Sequence, residues 1–270
     1  MTLTGKRGLK FYIHIYGRVL LQDFKSKMSY RADFIISNVG MIISNLVGFV
    51  TFYILFSNFP SINGWTMYEM LFMYGFSLIA LTPLQCFFDN NWNLRFQVKS
   101  GDFIKYCFRP INMYFYFISE DFDVKGLGQL FFGLGTLVYA WGHLAIPVTA
   151  VTLAQTVLFL IAASLFMIAI MNFAAATCFW IQNSGYIMVI MSRFKDFAKY
   201  PASIYNSFFR IIFTFVIPIA FIAYYPSLVV LRPNSVPLLS WLSPLIGLLF
   251  FYLSYRFWLL GARKYDGTGS

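Results

Sequence analysis

Residues 34–56 read FIISNVGMIISNLVGFVTFYILF, an unbroken run without an acid or a base. A helix rises about 1.5 Å per residue, and a hydrocarbon core about 30 Å thick takes roughly 20 apolar residues to cross. This stretch is long enough and greasy enough to do so. The rest of the 270-residue chain has the same character: 59% hydrophobic, 11% charged, mean hydropathy +0.68. A water-soluble domain would carry about 25% charged residues. Within lipid the backbone must satisfy its own polar groups, which leaves helices or closed barrels. The short alternating segments of a barrel are absent, so the sequence predicts an all-α membrane protein.

Six transmembrane helices are expected, at about 34–57, 66–88, 126–145, 149–178, 206–226 and 238–260, forming one membrane domain over 1–270. The stretch 179–200 contains GYIMVIM, which is apolar but short. It is read as an interfacial or buried piece. Residues 8–27 combine Phe11, Ile13, Ile15, Leu20 and Leu21 with Lys10, Arg18, Lys25 and Lys27. That mixture predicts an amphipathic elbow helix lying in the membrane interface. The N-terminal residues lack the apolar stretch and cleavage site of a signal peptide.

Charge orients the expected spans, because Lys and Arg favour the cytoplasmic side of short loops. The tail and first entry hold Lys6, Arg7, Lys10, Arg18, Lys25, Lys27 and Arg31. The second-to-third connection holds Arg95, Lys99, Lys105, Arg109 and Lys125. Arg193, Lys195, Lys199 and Arg210 fall in the fourth-to-fifth connection, and Arg256, Arg263 and Lys264 at the C-terminal end. Of the 20 basic residues only Arg232 then falls on the outer side. Both termini are expected in the cytoplasm. Trp65, Trp141 and Trp241 fall at expected outer ends, and Trp92, Trp180 and Trp258 at inner ones, as interfacial indoles would. The +10 charge is spread over four segments, which argues for anionic lipid rather than nucleic acid.

Catalytic patterns are missing. GKRG at 5–8 lacks the glycine and hydroxyl residue of a phosphate-binding loop. His14 and His143 fall on opposite sides of the expected membrane. Cys86, Cys107 and Cys178 have no metal-ligand spacing and read as small buried hydrophobes. Glu69 is the one acid close to a span interior, about a turn inside the second span, with snorkelling to the outer interface as the expected outcome. The first span carries Gly40, Ser44 and Gly48 at four-residue spacing on one face, with Ser37, Asn38 and Asn45 nearby. Small residues so spaced allow close helix approach, within one subunit, across a subunit seam, or along a polar substrate path. Pro83 and Pro218 each remove a helix bond, and Pro226 is expected to end the fifth helix.

Between the second and third spans lies KSGDFIKYCFRPIN, residues 99–112, with Lys99, Asp102, Lys105 and Arg109 close together. The preceding NWNLRFQV predicts a short amphipathic helix, ended or bent at Gly101. Leu94, Phe96, Val98 and Phe103 supply a docking face, either for the membrane surface or for a soluble partner.

YRADF at 30–34, GWTMYEMLFMYG at 64–75, KSGDFIKYCFRP at 99–110 and YPASIYNSFFRIIFTFVIPIAFIAYYPS at 200–227 together resemble the type-2 ABC exporter permeases, in block order and spacing, over nearly the whole chain. The resemblance implies six-span bacterial subunits in the plasma membrane that pair, as the same or a different chain, over two copies of a separate ABC ATP-binding subunit. A cytoplasmic coupling helix between spans two and three would seat in that subunit, with Phe96, Gly101, Asp102, Phe103 and Arg109 in or near the contact. The first, second and fifth spans would border the pathway, making Asn38, Gly40, Ser44, Asn45, Gly48 and Pro218 candidates for it or for the subunit seam. ATP and magnesium would bind on the partner, with no cofactor on this chain. Aromatic-rich spans without buried charge suit an amphipathic or hydrophobic cargo. An ion-coupled secondary transporter, using Glu69, is the alternative; a lipid-modifying membrane enzyme would need a catalytic cluster that is not seen.

Overall fold

The computed structural model describes residues 8–29, 31–181 and 184–265. Lys6, Arg7 and Tyr30, and with them most of GKRG, lie outside the described residues. Helix α1 runs Leu9–Ser29, α2 Arg31–Asn58, α3 Met67–Phe87, α4 Asn91–Ser100, α5 Ile104–Cys107 and α6 Met113–Ser119. There follow α7 at Lys125–His143, α8 at Ala150–Ala176, α9 at Gly185–Phe194, α10 at Ser207–Ile211, α11 at Tyr224–Leu231 and α12 at Leu238–Arg263. Among the described residues no β-strand forms.

Four helical stretches are long and apolar enough to cross a membrane: Ala32–Asn58, Met67–Ser100, Ala150–Phe179 and Leu238–Arg263. A fifth would be counted if the bent pair Ser207–Val216 and Ile219–Leu231 were one span. The third expected span forms α7, which has 19 residues. Its glycines, Gln129 and His143 keep it out of the strongly apolar set.

The helices touch where side chains are smallest. A Cβ on Gly75 of α3 would lie 2.7 Å from the Leu137 backbone nitrogen of α7, and one on Gly247 of α12 would lie 2.4 Å from the Ala162 carbonyl oxygen of α8. Backbones in van der Waals contact are the chief means of holding membrane helices together, since lipid supplies no hydrophobic drive between them. Pro83 leaves α3 continuous through Phe87. Beside it, the Leu78 carbonyl accepts both the Thr82 hydroxyl at 3.0 Å and the Gln129 amide of α7 at 2.9 Å.

The bundle has two ends, marked by the two ends of α3. At its start, Asn63 and Gly64 take positive φ angles of 49° and 77°. They form a tight turn in which Ile62 and Trp65 exchange backbone hydrogen bonds of 3.0 Å; Asn-Gly is the pairing such turns favour. Thr66 then caps α3 through a reciprocal box with Glu69. His143, closing α7, stacks on Tyr68 at 4.5 Å. At the other end of α3 lie α4–α6, the start of α7 and the end of α12: Asp123 N–H donates to the Cys86 carbonyl, and Trp258 packs on Phe103. Lys27 of α1 pairs with Asp121 here at 2.8 Å.

These markers correct the fifth span. Gly185, opening α9, packs against the Arg95 guanidinium of α4. Farther along, Lys199 lies over the Tyr74 ring at 5.9 Å and Tyr200 meets Phe52 at 5.5 Å. At the top, Ser203 accepts the Trp65 indole N–H at 2.8 Å, and its carbonyl accepts the Asn63 amide at 2.6 Å. Residues 185–204 therefore run the length of the bundle. The segment 206–226, expected to cross, does not. It leaves from Ser203 at the α3 start, and its return limb ends at Arg232, which bonds the Gly64 carbonyl at 2.8 Å at that same end. The chain turns back at Ile217-Pro218, where the two limbs are bent by 74°. Pro226, expected to end a helix, instead sits in the first turn of α11, where no N–H partner is required. Consequently Lys199, Arg210 and Arg232 lie toward the α3 start, and the basic residues are less one-sided than the sequence predicts.

The tryptophans also divide differently. Trp92, Trp180 and Trp241 are exposed, but Trp65, Trp141 and Trp258 are buried in protein. Cys107, expected buried, is exposed, while Cys86 and Cys178 are buried.

Candidate functional site

The segment between α3 and α7 folds into a platform of three short helices. Helix α4 ends at Gly101, whose φ of 87° is left-handed; a Cβ is disfavoured there, which is why glycine closes the helix. The turn is fixed by the Phe103 N–H donating to the Gln97 carbonyl at 3.0 Å, and by the Ser100 hydroxyl donating to Asp102 Oδ2 at 2.7 Å. Helix α6 starts at Asn112, whose side chain accepts the Phe115 N–H at 3.0 Å.

Phe103 does not face a partner. It is 0% exposed, with Phe179 and Tyr265 each at 5.1 Å, Tyr106 at 5.3 Å and Trp258 at 5.8 Å. Leu94 is equally buried. The expected docking face is thus corrected: these two residues anchor the platform to the bundle, because the turn at Gly101 folds Phe103 inward. The apolar groups left outside are Phe96 at 57%, Phe108 at 79% and Ile104, with Trp92 exposed at the start of α4. Around them stand Arg95, 4.3 Å above the Phe96 ring, and Arg109, 5.1 Å above the Tyr116 ring. Lys105 pairs with Glu120 at 2.8 Å. Glu120 also accepts the Tyr106 hydroxyl, and burial together with that bond pushes the Tyr106 phenol far above its ordinary value. Asp102 is exposed and free to meet solvent or a partner.

A buried amide chain ties the platform to α8. Asn91 Nδ2 donates to Asn172 Oδ1 at 2.8 Å, and Asn172 Nδ2 bonds the Tyr114 hydroxyl of α6. Asn90 donates to the Phe117 carbonyl at 2.6 Å. Buried polar networks of this kind are costly unless satisfied, and they fix one arrangement. The sequence alone does not single out Asn91, Asn172, Tyr106 and Glu120; the signal it offers is Asn172, the one amide in the second half of α8.

The candidates for a seam or pathway do not converge on one surface. Asn38 Oδ1 accepts the Gly128 N–H of α7 at 3.1 Å, and its amide donates to Phe34 O at 2.9 Å. Asn45 is buried; its carbonyl accepts the Tyr74 hydroxyl at 2.8 Å, and its Nδ2 has no partner. Gly48 packs directly on the Tyr74 ring, whereas a Cβ on Gly40 would meet open space, and Ser44 is exposed. Pro218 lies at the bend of the re-entrant limbs, away from these. Glu69, the candidate for ion coupling, is held by Thr66 at 2.9 Å through its backbone and by Arg232 at 3.3 Å.

A platform of short helices on a bundle of apolar helices is the architecture in question, and a family comparison decides its kinship. Residues 42–269 match the family described as ABC-2 family transporter protein. The chain belongs to the ABC-2 transporter family. The match covers most of the chain, from within α2 to beyond α12, so it takes in both the platform and the re-entrant limbs. No curated protein and no solved structure matches the chain. As an ABC-2 protein with several apolar helices, it is a multi-pass membrane component of an ABC transporter system, a family that typically lacks its own ATPase and works with an ATP-hydrolysing partner.

Proposed function

We propose that this chain is the permease subunit of an ATP-driven exporter, and that α4–α6 is where a separate ATP-binding subunit docks. The observation that carries this reading is the exposed cluster of Phe96, Ile104 and Phe108, set among Arg95, Lys99, Lys105 and Arg109 on a platform that is itself anchored by buried Phe103. An apolar centre with a charged rim is the usual anatomy of a protein interface. Because Phe103 meets Trp258 of α12, and Asn91 meets Asn172 of α8, a push on the platform moves two long helices as a body. The partner binds ATP and magnesium, closes with its twin, and supplies that push; rigid-body rotation of packed helices is the form such switching takes.

Six stretches cross in this reading: α2, α3, α7, α8, residues 185–204 and α12. The platform, α1 and the end of α12 then share the cytoplasmic side of a bacterial plasma membrane, with α1 as interfacial elbow. A second permease, identical or different, covers α2, of whose apolar window only 11% is buried; Gly40 and Ser44 lie on that open face. The cargo is amphipathic or hydrophobic, in keeping with aromatic helices free of unpaired buried charge. Movement is outward.

Cys107 provides a native probe, since it is exposed on the platform while the other two thiols are buried. Partial burial lifts its thiol above the ordinary range, so less thiolate is present at neutral pH and labelling is best done in mildly alkaline buffer. A membrane-impermeant maleimide should label Cys107 in inside-out vesicles, not in intact cells, and the bound ATP-binding subunit should protect it. Labelling from outside the cell would refute the orientation; undiminished labelling in the complex would refute the docking site.

A further inference from the structure

An aromatic groove of about 700 Å³ opens beside the platform, between α1, α6 and α12. That size falls within the about 300–1,000 Å³ of ligand cavities. Tyr12 and Tyr16 of α1 meet Phe115 of α6 at 4.8 and 5.9 Å along one wall. Phe88 and Phe251, 6.4 Å apart, form the opposite side. Polar atoms deeper in the groove are already engaged: the Asn112 amide donates to the Tyr255 hydroxyl at 2.9 Å, and the Tyr114 hydroxyl is taken by Asn172. The accessible lining is almost entirely aromatic carbon, which suits an apolar occupant.

Tyr255 also lines a second cavity, of about 390 Å³, with Arg256 and Arg263 at its rim. Among the described residues no acidic one lines either cavity. Both arginines are exposed, and the Tyr252 hydroxyl, bonded to Arg256 at 2.8 Å, occupies only part of its donor set. Alongside them Leu249, Leu253 and Leu260 are exposed on α12, so the groove opens onto a surface that faces acyl chains.

We infer that this composite groove binds one anionic phospholipid from the adjoining leaflet, with an acyl chain among the aromatic rings and the phosphate on Arg256 and Arg263. The aromatic part selects for hydrocarbon, the paired guanidinium groups for phosphate. The site differs from the open α2 face and from the exposed platform cluster, and it does not depend on ATP or on transport.

The test is to purify the full chain from membranes, exchange it into nanodiscs of phosphatidylcholine and phosphatidylglycerol, and count retained lipid by native mass spectrometry. The wild-type chain should keep one phosphatidylglycerol, preferred about 30-fold over phosphatidylcholine if each arginine acts as a surface basic residue does. The double variant Arg256→Gln, Arg263→Gln should lose the preference without a change in thermal unfolding. Phe115→Trp, which crowds the groove, should lower retention of both lipids; Tyr12→Trp serves as a second filling variant should the first misfold. Equal retention of both lipids by the wild type, phosphatidylglycerol retention untouched by both kinds of variant, or a non-lipid molecule in the groove would overturn the inference. Loss of the ATP-binding partner would leave lipid retention unchanged, so the two readings fail separately.

Discussion

At the platform end, Phe103, Phe117 and Trp258 are fully buried and pack ring on ring. At the α3 start, Arg232, Glu69, Trp65 and Ser203 hold three chain segments together by one ion pair, one cation–ring contact at 3.9 Å and single hydrogen bonds. The first end loses much if any part is removed, because buried rings leave cavities. The second, apart from the buried Trp65 indole, is a clasp of partly exposed polar groups, each worth little alone. The protein is thus anchored firmly where a partner is proposed to push, and latched lightly where the re-entrant limbs meet α3.

The largest contrast is expected from Phe103→Ala, which should cost about 3–5 kcal/mol as a buried aromatic truncation. Phe108→Ala, at an exposed site a few residues on, should change stability by under about 0.5 kcal/mol. Thermal unfolding of both in detergent checks the pair, and equal effects would erase the distinction between anchor and contact surface. Next comes Asn172→Leu, which strands the Asn91 amide in the interior and should cost about 1–3 kcal/mol. If instead it proves neutral, the amide chain does not fix the platform to α8. Among the variants that remove a contact seen in the structure, the smallest effect belongs to Arg232→Gln, at about 1 kcal/mol. Its deficit should shrink as salt rises from about 0.1 M to about 1 M, where screening shortens to a few ångströms. A salt-independent loss would mean that the clasp works by packing rather than charge.

Much of this architecture was readable from residue order. Length and apolarity alone place α2, α3, α8 and α12, since hydrocarbon leaves the chain few options. The fifth traverse escaped because 206–226 is greasier than 185–204, which carries Arg193, Lys195, Asp196 and Lys199. Hydropathy cannot tell a crossing from a return loop; that is settled by which end each limb reaches, and here by Trp65 with Ser203 and by Arg232 with Gly64. Lys199 is accommodated over the Tyr74 and Tyr200 rings, a contact between segments far apart in sequence. The same blindness touched the platform. Phe96 and Phe103 are identical in type and seven residues apart, but the left-handed turn at Gly101 turns one inward. The glycine seam that does hold helices, Gly75 with α7, lay in the second and third spans, whereas the stripe singled out in the first span is largely open.

The central claim is that the exposed cluster on α4–α6 binds an ATP-binding subunit. Its most direct test is co-purification of that subunit with the double variant Phe96→Asp, Phe108→Asp, compared with the wild-type chain in the same membranes. The account predicts that the variant inserts and unfolds at the wild-type temperature yet comes out of the membrane without its partner. A variant that retains the ATP-binding subunit in full would contradict it.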